Sequence, residues 1–221
     1  MVVAKNIHVV ATMGTSPGIV GELVYNIMAR RVEGLVYAPD ARVASVTVVG
    51  TAHRLVMLAA RAVQPILECC LGYTTPVTVK LINSEDVVDS TSYQDYYNAV
   101  RDTLQQYIRK EDIDYVVVLD ITGGRASMAV AAFEAAYHTV SRGRLYITTT
   151  QVPTERYSQL QSLYRALANQ GLENALQEYY KAKTSGNTDE ACKAIKAVQA
   201  QGANICSLVT REAETAVLRI V

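Results

Sequence analysis

Short runs of apolar, β-branched residues alternate with helical patterns through the first two-thirds of this 221-residue chain. A strand that is followed by a helix and then by another strand favours a parallel sheet covered by helices on both faces. The pattern predicts strands over residues 7–13, 43–50, 77–82, 115–120 and 144–150, and helices over residues 17–30, 52–70, 91–109 and 125–141. We therefore predict an α/β protein with a Rossmann-like, mostly parallel sheet.

The pattern changes after Pro153. Leucines at helical spacing continue on both sides of Gly171, and residues 205–221 resemble two short strands that form a terminal β-hairpin. The sequence predicts two parts: a Rossmann-like ligand-binding domain over residues 1–152, and a small helical extension with the hairpin over residues 153–221. Fewer than 70 residues are few for an independent catalytic domain, so we expect the extension to pack on the sheet.

Charge and hydropathy exclude several classes of protein. Basic and acidic residues balance at 21 each, which argues against a protein that coats long nucleic acid through a basic face. The sequence has no leader followed by a cleavage site and no apolar run long enough to span a membrane. We expect a soluble, cytoplasmic protein without a membrane partner.

Cysteine and histidine patterns do not predict a metal site or a catalytic triad. The cysteines form no C-x-x-C motif and have no histidine at ligand spacing, so we interpret them as buried structural thiols and expect no metal and no cofactor. We interpret the three histidines as structural, because one lies in the middle of a strand and two lie at helix ends. The residues concerned are Cys69, Cys70, Cys192, Cys206, His8, His53 and His138.

The first candidate binding turn follows the first predicted strand. Ser16 is placed to cap a helix, and Pro17 stands where a first helical residue tolerates proline. A strand that turns directly into a helix presents free backbone N–H groups, here beside a hydroxyl and the positive end of a helix dipole, which together suit a phosphate. The alternative is that Ser-Pro only begins the helix and binds nothing.

The second candidate turn, residues 120–127, follows a buried strand and also begins a helix. Gly123 and Gly124 allow a ligand to approach the backbone closely, and the forked donors of Arg125 suit a phosphate or an adenine edge. The alternative is that the glycines only turn the chain and that Arg125 pairs with an acid such as Asp120. Both turns follow parallel strands, so we expect them to meet at one edge of the sheet.

The common nucleotide and hydrolase signatures are absent from the sequence. The glycines near the first turn lack the G-x-G-x-x-G spacing, and there is no G-x-x-x-x-G-K-[ST] loop and no G-x-S-x-G nucleophile elbow. The two turns instead resemble, as a pair and in this order, the signature motifs of the CARF (CRISPR-associated Rossmann fold) domains. Residues 82–87, followed by a tyrosine-rich helix, are similar to the middle section of these domains.

The resemblance implies a homodimer that binds a cyclic oligoadenylate, usually cyclic tetra-adenylate, across its two-fold axis. The alanine-rich helix after Gly124 is then a candidate dimer contact, because small side chains allow close approach. The ligand-binding residues implied are Gly14, Thr15, Ser16, Pro17, Gly123, Gly124, Arg125, Ala126 and Ser127.

A chain of this size without an R-x4-H ribonuclease signature most resembles the stand-alone ring nucleases of the CARF group. Their implied reaction is metal-independent: a ribose 2′-OH attacks the adjacent phosphate and leaves a 2′,3′-cyclic phosphate. Ser16 would contact the scissile phosphate. Related ring nucleases add a lysine near the C-terminus, but residues 205–221 contain none, so Arg211 is the first candidate cation and Lys183 the second. The alternatives are a binding-only sensor of cyclic oligoadenylates and a Rossmann-like domain for another nucleotide.

Overall fold

The computed structural model describes residues 3–110 and 114–219. Within them the strands are β1 (Ala4–Thr12), β2 (Tyr37–Gly50), β3 (Val77–Leu81), β4 (Tyr115–Asp120), β5 (Leu145–Gln151), β6 (Gln199–Ala200), β7 (Ala203–Asn204) and β8 (Glu214–Arg219). The α-helices are α1 (Pro17–Met28), α2 (Arg54–Pro65), α3 (Ser90–Lys110), α4 (Ala126–Thr139), α5 (Thr154–Asn169), α6 (Leu172–Thr184) and α7 (Thr188–Ala197). A π-helical turn, Ile66–Cys70, continues α2, and short 3-10 turns span Arg142–Arg144 and Ile205–Leu208.

Six strands form one sheet in the order β3-β2-β1-β4-β5-β8. All neighbouring pairs are parallel except β5 and β8, which are antiparallel. The chain moves outward from β1 to β3 and then returns to place β4 on the other side of β1, so the direction of winding reverses between β1 and β4. Ligands of open α/β sheets bind at such a switch point, beyond the carboxyl ends of the strands. The predicted fold class is confirmed.

Helices bury both faces of the sheet. Side chains of α1, α2, α5, α6 and α7 pack into one apolar cluster, and those of α3 and α4 pack into the other. Every residue of β4 is buried, as expected for a central parallel strand covered on both sides. Strand β2 begins six residues before its predicted start at residue 43. Its first part mixes buried, half-buried and exposed positions and so lacks the continuous apolar run by which residues 46–50 are recognised.

The C-terminal segment differs from the predicted hairpin. Residues Ile205–Leu208 form a 3-10 turn, and Arg211 adopts a left-handed backbone with φ of 62°. Between residues 205 and 219, only β8 is a strand of the main sheet. Strand β8 pairs with β5, with Thr148 opposite Val217, because the free edge of β5 offers unpaired backbone groups to a neighbouring strand. The division into residues 1–152 and 153–221 stays a prediction, and β8 belongs to the same sheet as the first part.

The cysteines form disulfides, so the prediction of free structural thiols was wrong. Cys69 bonds to Cys192, and Cys70 bonds to Cys206, across 123 and 136 residues of sequence. Pairs so distant come together only when the fold is complete, so spacing along the chain does not indicate them. Two neighbouring residues of the π-helical turn thereby hold α7 and the 3-10 turn Ile205–Leu208. In the chain-entropy model, a crosslink over about 100 residues destabilises the unfolded chain by about 4–5 kcal/mol.

No helix within residues 3–110 and 114–219 is long and apolar enough to cross a membrane. Helix α3 has 21 residues, but polar side chains such as Gln94, Asp95 and Arg101 occur along it. The expected cytoplasmic location is not tested by this observation and stays a prediction.

Candidate functional site

A pocket of about 300 Å³ opens at the carboxyl ends of β1, β2, β3 and β4. The pocket lies at the switch point between β1 and β4. The turns that follow these two strands form one of its walls. Gly14, Thr15 and Ser16 come from the turn after β1, and Gly123 and Gly124 come from the turn after β4. The two turns identified in the sequence therefore meet in one cavity. We call their combined surface the glycine wall.

Close backbone packing explains two of the glycines in this wall. A Cβ atom on Gly14 would lie 2.1 Å from the carbonyl oxygen of Gly123, and one on Gly123 would lie 2.3 Å from the carbonyl oxygen of Thr12. Real Cβ atoms do not approach oxygen so closely, so neither position accepts a side chain without moving the backbone. Both turns thus stay in direct contact, with main-chain atoms at the surface that faces the cavity.

Ser16 occupies the N-cap position of α1, and Pro17 is the first helical residue, as predicted. The Ser16 hydroxyl makes no capping hydrogen bond. Ser16 is only partly exposed and lines the cavity beside Gly14 and Thr15. The positive end of the α1 dipole lies at the same place, so the site suits an oxyanion that can accept from the Ser16 hydroxyl and from backbone N–H groups.

Arg125 and Asp86 form an ion pair at the edge of the pocket. An Arg125 guanidinium nitrogen lies 2.5 Å from Oδ2 of Asp86, and the Arg125 side chain is 71% exposed against 24% for Asp86. The Val87 backbone N–H donates to the other Asp86 oxygen at 2.8 Å. Asp86 is therefore held in place while Arg125 extends into solvent.

The alternative that Arg125 pairs with an acid is confirmed, but the acid is Asp86 and not Asp120. Asp120 is buried at the end of β4, where it accepts from the backbone N–H of Thr122 and from the hydroxyls of Thr148 and Thr150. Burial raises the pKa of its carboxyl, against the opposing effect of these hydrogen bonds. Asp120 thus anchors the turn after β4 from below and does not face the pocket.

Three of the implied ligand-binding residues lie beside this pocket and do not line it. Pro17 lines a smaller adjacent cavity together with Ser16 and Leu208. Ala126 is exposed on the first turn of α4. The Ser127 hydroxyl donates to the Val87 carbonyl at 2.9 Å, which ties α4 to the loop after β3.

Side chains that sequence reasoning did not assign to the site form the opposite wall. Thr51 and His53 follow β2, Glu85 and Asp86 follow β3, and all four line the cavity. We call this surface the side-chain wall. The signal that could have found these residues is their position directly after parallel strands, since strand carboxyl ends share one edge of a sheet. Tyr157 of α5 also lines the cavity, with Met13, Val56 and Met128 as its apolar part.

His53 was interpreted as structural, and its surroundings differ from those of the other two histidines. His8 is buried and stacks on Tyr107, and His138 lies on α4 within reach of the Tyr97 hydroxyl. His53 is exposed at the N-cap position of α2, and its ring makes no capping hydrogen bond. It is the one of the three histidines that lines the cavity.

The two predicted catalytic cations do not lie in the pocket. The Arg211 guanidinium donates to the Cys70 carbonyl at 3.3 Å and lies over the Tyr25 ring, with the Arg211 backbone N–H bonded to Glu22. Lys183 of α6 donates to Glu68 at 2.5 Å. The loop after Leu208 runs along α1 away from Ser16, so within one chain neither cation reaches the serine. A catalytic role for either residue stays a prediction.

The exposed face of α4 is apolar. Phe133 and Tyr137 stack with ring centroids 6.0 Å apart, and Val130 beside them is 57% exposed. The alanines of this helix were expected to allow close approach of a second subunit. Four of the six, Ala131, Ala132, Ala135 and Ala136, are instead fully buried in the core, whereas Ala126 is exposed and Ala129 half-buried. A contact through α4 would therefore use the larger side chains.

Fold and pocket together define a Rossmann-like α/β protein with a cavity at its switch point, lined by the turns after β1 and β4. No model of a known protein family matches the sequence. The chain is 30% identical over 161 residues to the CRISPR system ring nuclease SSO2081 of Saccharolobus solfataricus, an alignment that covers 73% of this chain and 80% of that protein. The chain belongs to the CRISPR ring nucleases of the CARF group, which confirms the resemblance found in the sequence.

A solved structure is also similar to this chain. It is that of Enterococcus italicus Csm6 bound to cyclic hexa-2′-fluoro-hexa-dAMP, with 14% identity and a TM-score of 0.42. The similarity covers 87% of this chain but 51% of that protein, so the chain spans about half of its length.

Proposed function

We propose that this protein is a ring nuclease that binds and opens cyclic tetra-adenylate and thereby ends type III CRISPR signalling. The observation that carries the proposal is the Ser16 hydroxyl, which lies at the start of α1 in the pocket that both glycine turns form, and makes no capping bond there. Membership of the ring nucleases, through a relative of which 80% is covered, supports the same activity.

The reaction that fits this pocket uses a nucleophile that the substrate itself carries. A ribose 2′-oxygen attacks the adjacent phosphorus, the bond from phosphorus to the 5′-oxygen breaks, and the products end in a 2′,3′-cyclic phosphate and a 5′-OH. The protein has to hold the 2′-oxygen in line with the leaving oxygen and stabilise the added negative charge. We propose that this step needs no metal ion, because the substrate carries the nucleophile and donors of the protein stabilise the added charge.

Charge stabilisation falls to Ser16, the glycine wall and Arg125. The Ser16 hydroxyl and the backbone N–H groups at the start of α1 donate to the non-bridging phosphate oxygens. Arg125 brings a cation from the edge of the pocket, and its long, exposed side chain can leave Asp86 for the phosphate. Because Arg211 and Lys183 lie elsewhere in the chain, we assign the cationic role to Arg125.

A homodimer accounts for the size of the ligand. A cavity of about 300 Å³ is at the lower end of the range for small-molecule sites and is smaller than a ring of four nucleotides. A second copy related by a two-fold axis would hold the other half of the ring in the same way. The exposed side chains Val130, Phe133 and Tyr137 of α4 offer an apolar contact for that copy.

The experiment that tests the proposal is incubation of the purified protein with cyclic tetra-adenylate in EDTA, followed by mass spectrometry. We expect linear di-adenylate that ends in a 2′,3′-cyclic phosphate. Intact ligand that co-elutes with the protein would make it a binding-only sensor instead. Intact ligand that does not bind would contradict both functions.

A further inference from the structure

We infer that His53 is the general acid that protonates the 5′-oxygen as it leaves during ring opening. The inference rests on the proposed function and extends it to a residue of the side-chain wall. His53 follows β2, which is hydrogen-bonded directly to β1, and it lines the same cavity as Ser16. Ser16 and His53 therefore line one cavity of about 300 Å³, the first after β1 and the second after β2.

The backbone of His53 is fixed while its ring remains available. It is the N-cap residue of α2, and its carbonyl accepts from the Met57 backbone N–H at 3.0 Å. Its side chain is exposed and makes no capping hydrogen bond. Structural histidines in this protein are different: the His8 ring is buried and stacked on Tyr107. The fixed backbone therefore holds His53 at the cavity. Its ring nitrogens stay available for contact with a ligand.

The other ionisable side chains around the cavity are mostly engaged with partners. Asp86 is bound by Arg125 and by the Val87 N–H. The Tyr157 hydroxyl accepts from Gln161. Beside His53 on α2, Arg54 is paired with Glu173 of α6. Glu85 is an exposed carboxyl group. An imidazole carries N–H donors and is the side chain that most often serves as a general acid in enzymes.

The 2′-hydroxyl loses its proton to water as its oxygen bonds to phosphorus. The bond from phosphorus to the 5′-oxygen breaks, and that oxygen takes the N–H proton of the His53 imidazolium, which solvent later restores. Without this proton the leaving group would be an alkoxide, a much poorer leaving group than an alcohol.

The test compares wild-type protein with His53→Asn on two substrates under single-turnover conditions in EDTA. Asparagine is a good N-cap residue, so α2 keeps its start. One substrate is cyclic tetra-adenylate, and the other carries sulfur in place of the 5′-oxygen at the scissile linkage. A thiolate leaves without a proton. We expect His53→Asn to slow cleavage of the oxygen substrate about 100-fold and to cleave the sulfur substrate at the wild-type rate.

The pH profile provides a second measurement. The wild-type rate should fall as rising pH removes the proton that the acid donates, and the His53→Asn profile should lack this fall. His138→Asn, which alters an exposed histidine outside the pocket, should behave as wild type.

Two results would overturn the inference while the proposed function stands: an unchanged pH profile in His53→Asn, or an equal loss of rate on both substrates, which indicates a positioning role. If the wild-type protein cleaves neither substrate, the proposed function itself fails and the inference fails with it.

Discussion

The two walls of the pocket are built from different parts of the chain. The glycine wall consists of main-chain atoms from the turns after β1 and β4, packed so closely that Gly14 and Gly123 leave no room for a side chain. The side-chain wall, after β2 and β3, presents a hydroxyl, an imidazole and two carboxylates. Main-chain N–H groups suit the phosphates that all nucleotides share, whereas varied side chains suit groups that differ between ligands and steps that need proton transfer.

The difference also predicts how each wall responds to mutation. A side chain added at Gly14 or Gly123 of the glycine wall moves backbone and so alters folding and binding together, whereas Ser16→Ala in the same wall removes only a hydroxyl. A change in the side-chain wall removes one functional group and leaves the fold intact. The following variants test this contrast, from the largest expected effect to the smallest.

Gly14→Ala should destabilise the protein and abolish ligand binding. Its Cβ would lie 2.1 Å from the Gly123 carbonyl oxygen, so the two turns must separate. We expect the free energy of unfolding to fall by about 3 kcal/mol, measured by denaturant titration. Gly143→Ala is the matched control, because no atom lies within 4 Å of the added methyl group. Equal stability of the two variants would contradict the close packing of the glycine wall.

Ser16→Ala should slow cleavage about 100-fold while the dissociation constant changes little, because a single donor to the transition-state charge is lost. Single-turnover rates and calorimetric titration measure the two quantities separately. Ser185→Ala, outside the pocket at the end of α6, is the control and should cleave normally. A variant at Ser16 that cleaves at the wild-type rate would remove this serine from the chemistry.

Asp86→Asn should tighten binding of cyclic tetra-adenylate by up to about tenfold at low salt. The change removes a negative charge from the pocket and releases Arg125, and the gain should diminish as salt screens the charges. Titrations at two ionic strengths check it, with Asp189→Asn of α7 as a charge-matched control. Weaker binding would mean that Asp86 helps mainly by positioning Arg125. That gain would then exceed the cost of the repulsion between the Asp86 carboxylate and the ligand.

Arg211→Ala should have the smallest effect on activity, within about twofold in kcat. Its guanidinium bonds to the Cys70 carbonyl and lies over Tyr25, so we expect mainly a loss of stability of about 0.5–1 kcal/mol. Thermal unfolding and single-turnover rates measure both. A large loss of kcat with unchanged stability would place Arg211 at the phosphate in the assembled protein.

The sequence indicates local structure well where local physics determines it. The strand runs, the Ser16 cap and Pro17 follow from patterns within a few residues, and the two glycine turns follow from their positions after strands. Other features depend on contacts between distant residues. The Arg125 partner lies on the loop after β3, the disulfides span more than a hundred residues, and β8 forms where the edge of β5 is free.

The role of His53 also depends on contacts that the sequence alone does not indicate. Its place at a helix start is evident from the sequence, but its exposure to the cavity depends on how β1 and β2 pair. The direction of the loop after Leu208, which carries Arg211 away from Ser16, depends on hydrogen bonds to Glu22 that no local pattern indicates.

The two neighbouring disulfides would keep the chain covalently joined after a backbone cut between Cys70 and Cys192. The turn between α6 and α7 is exposed, and exposed turns are preferred sites of proteolysis. A cut at Gly186 would leave Cys69 and Cys70 on one fragment and Cys192 and Cys206 on the other, so the fragments would remain joined twice. The severed C-terminal piece, with β8 still in the sheet, would separate only after reduction as well as cleavage.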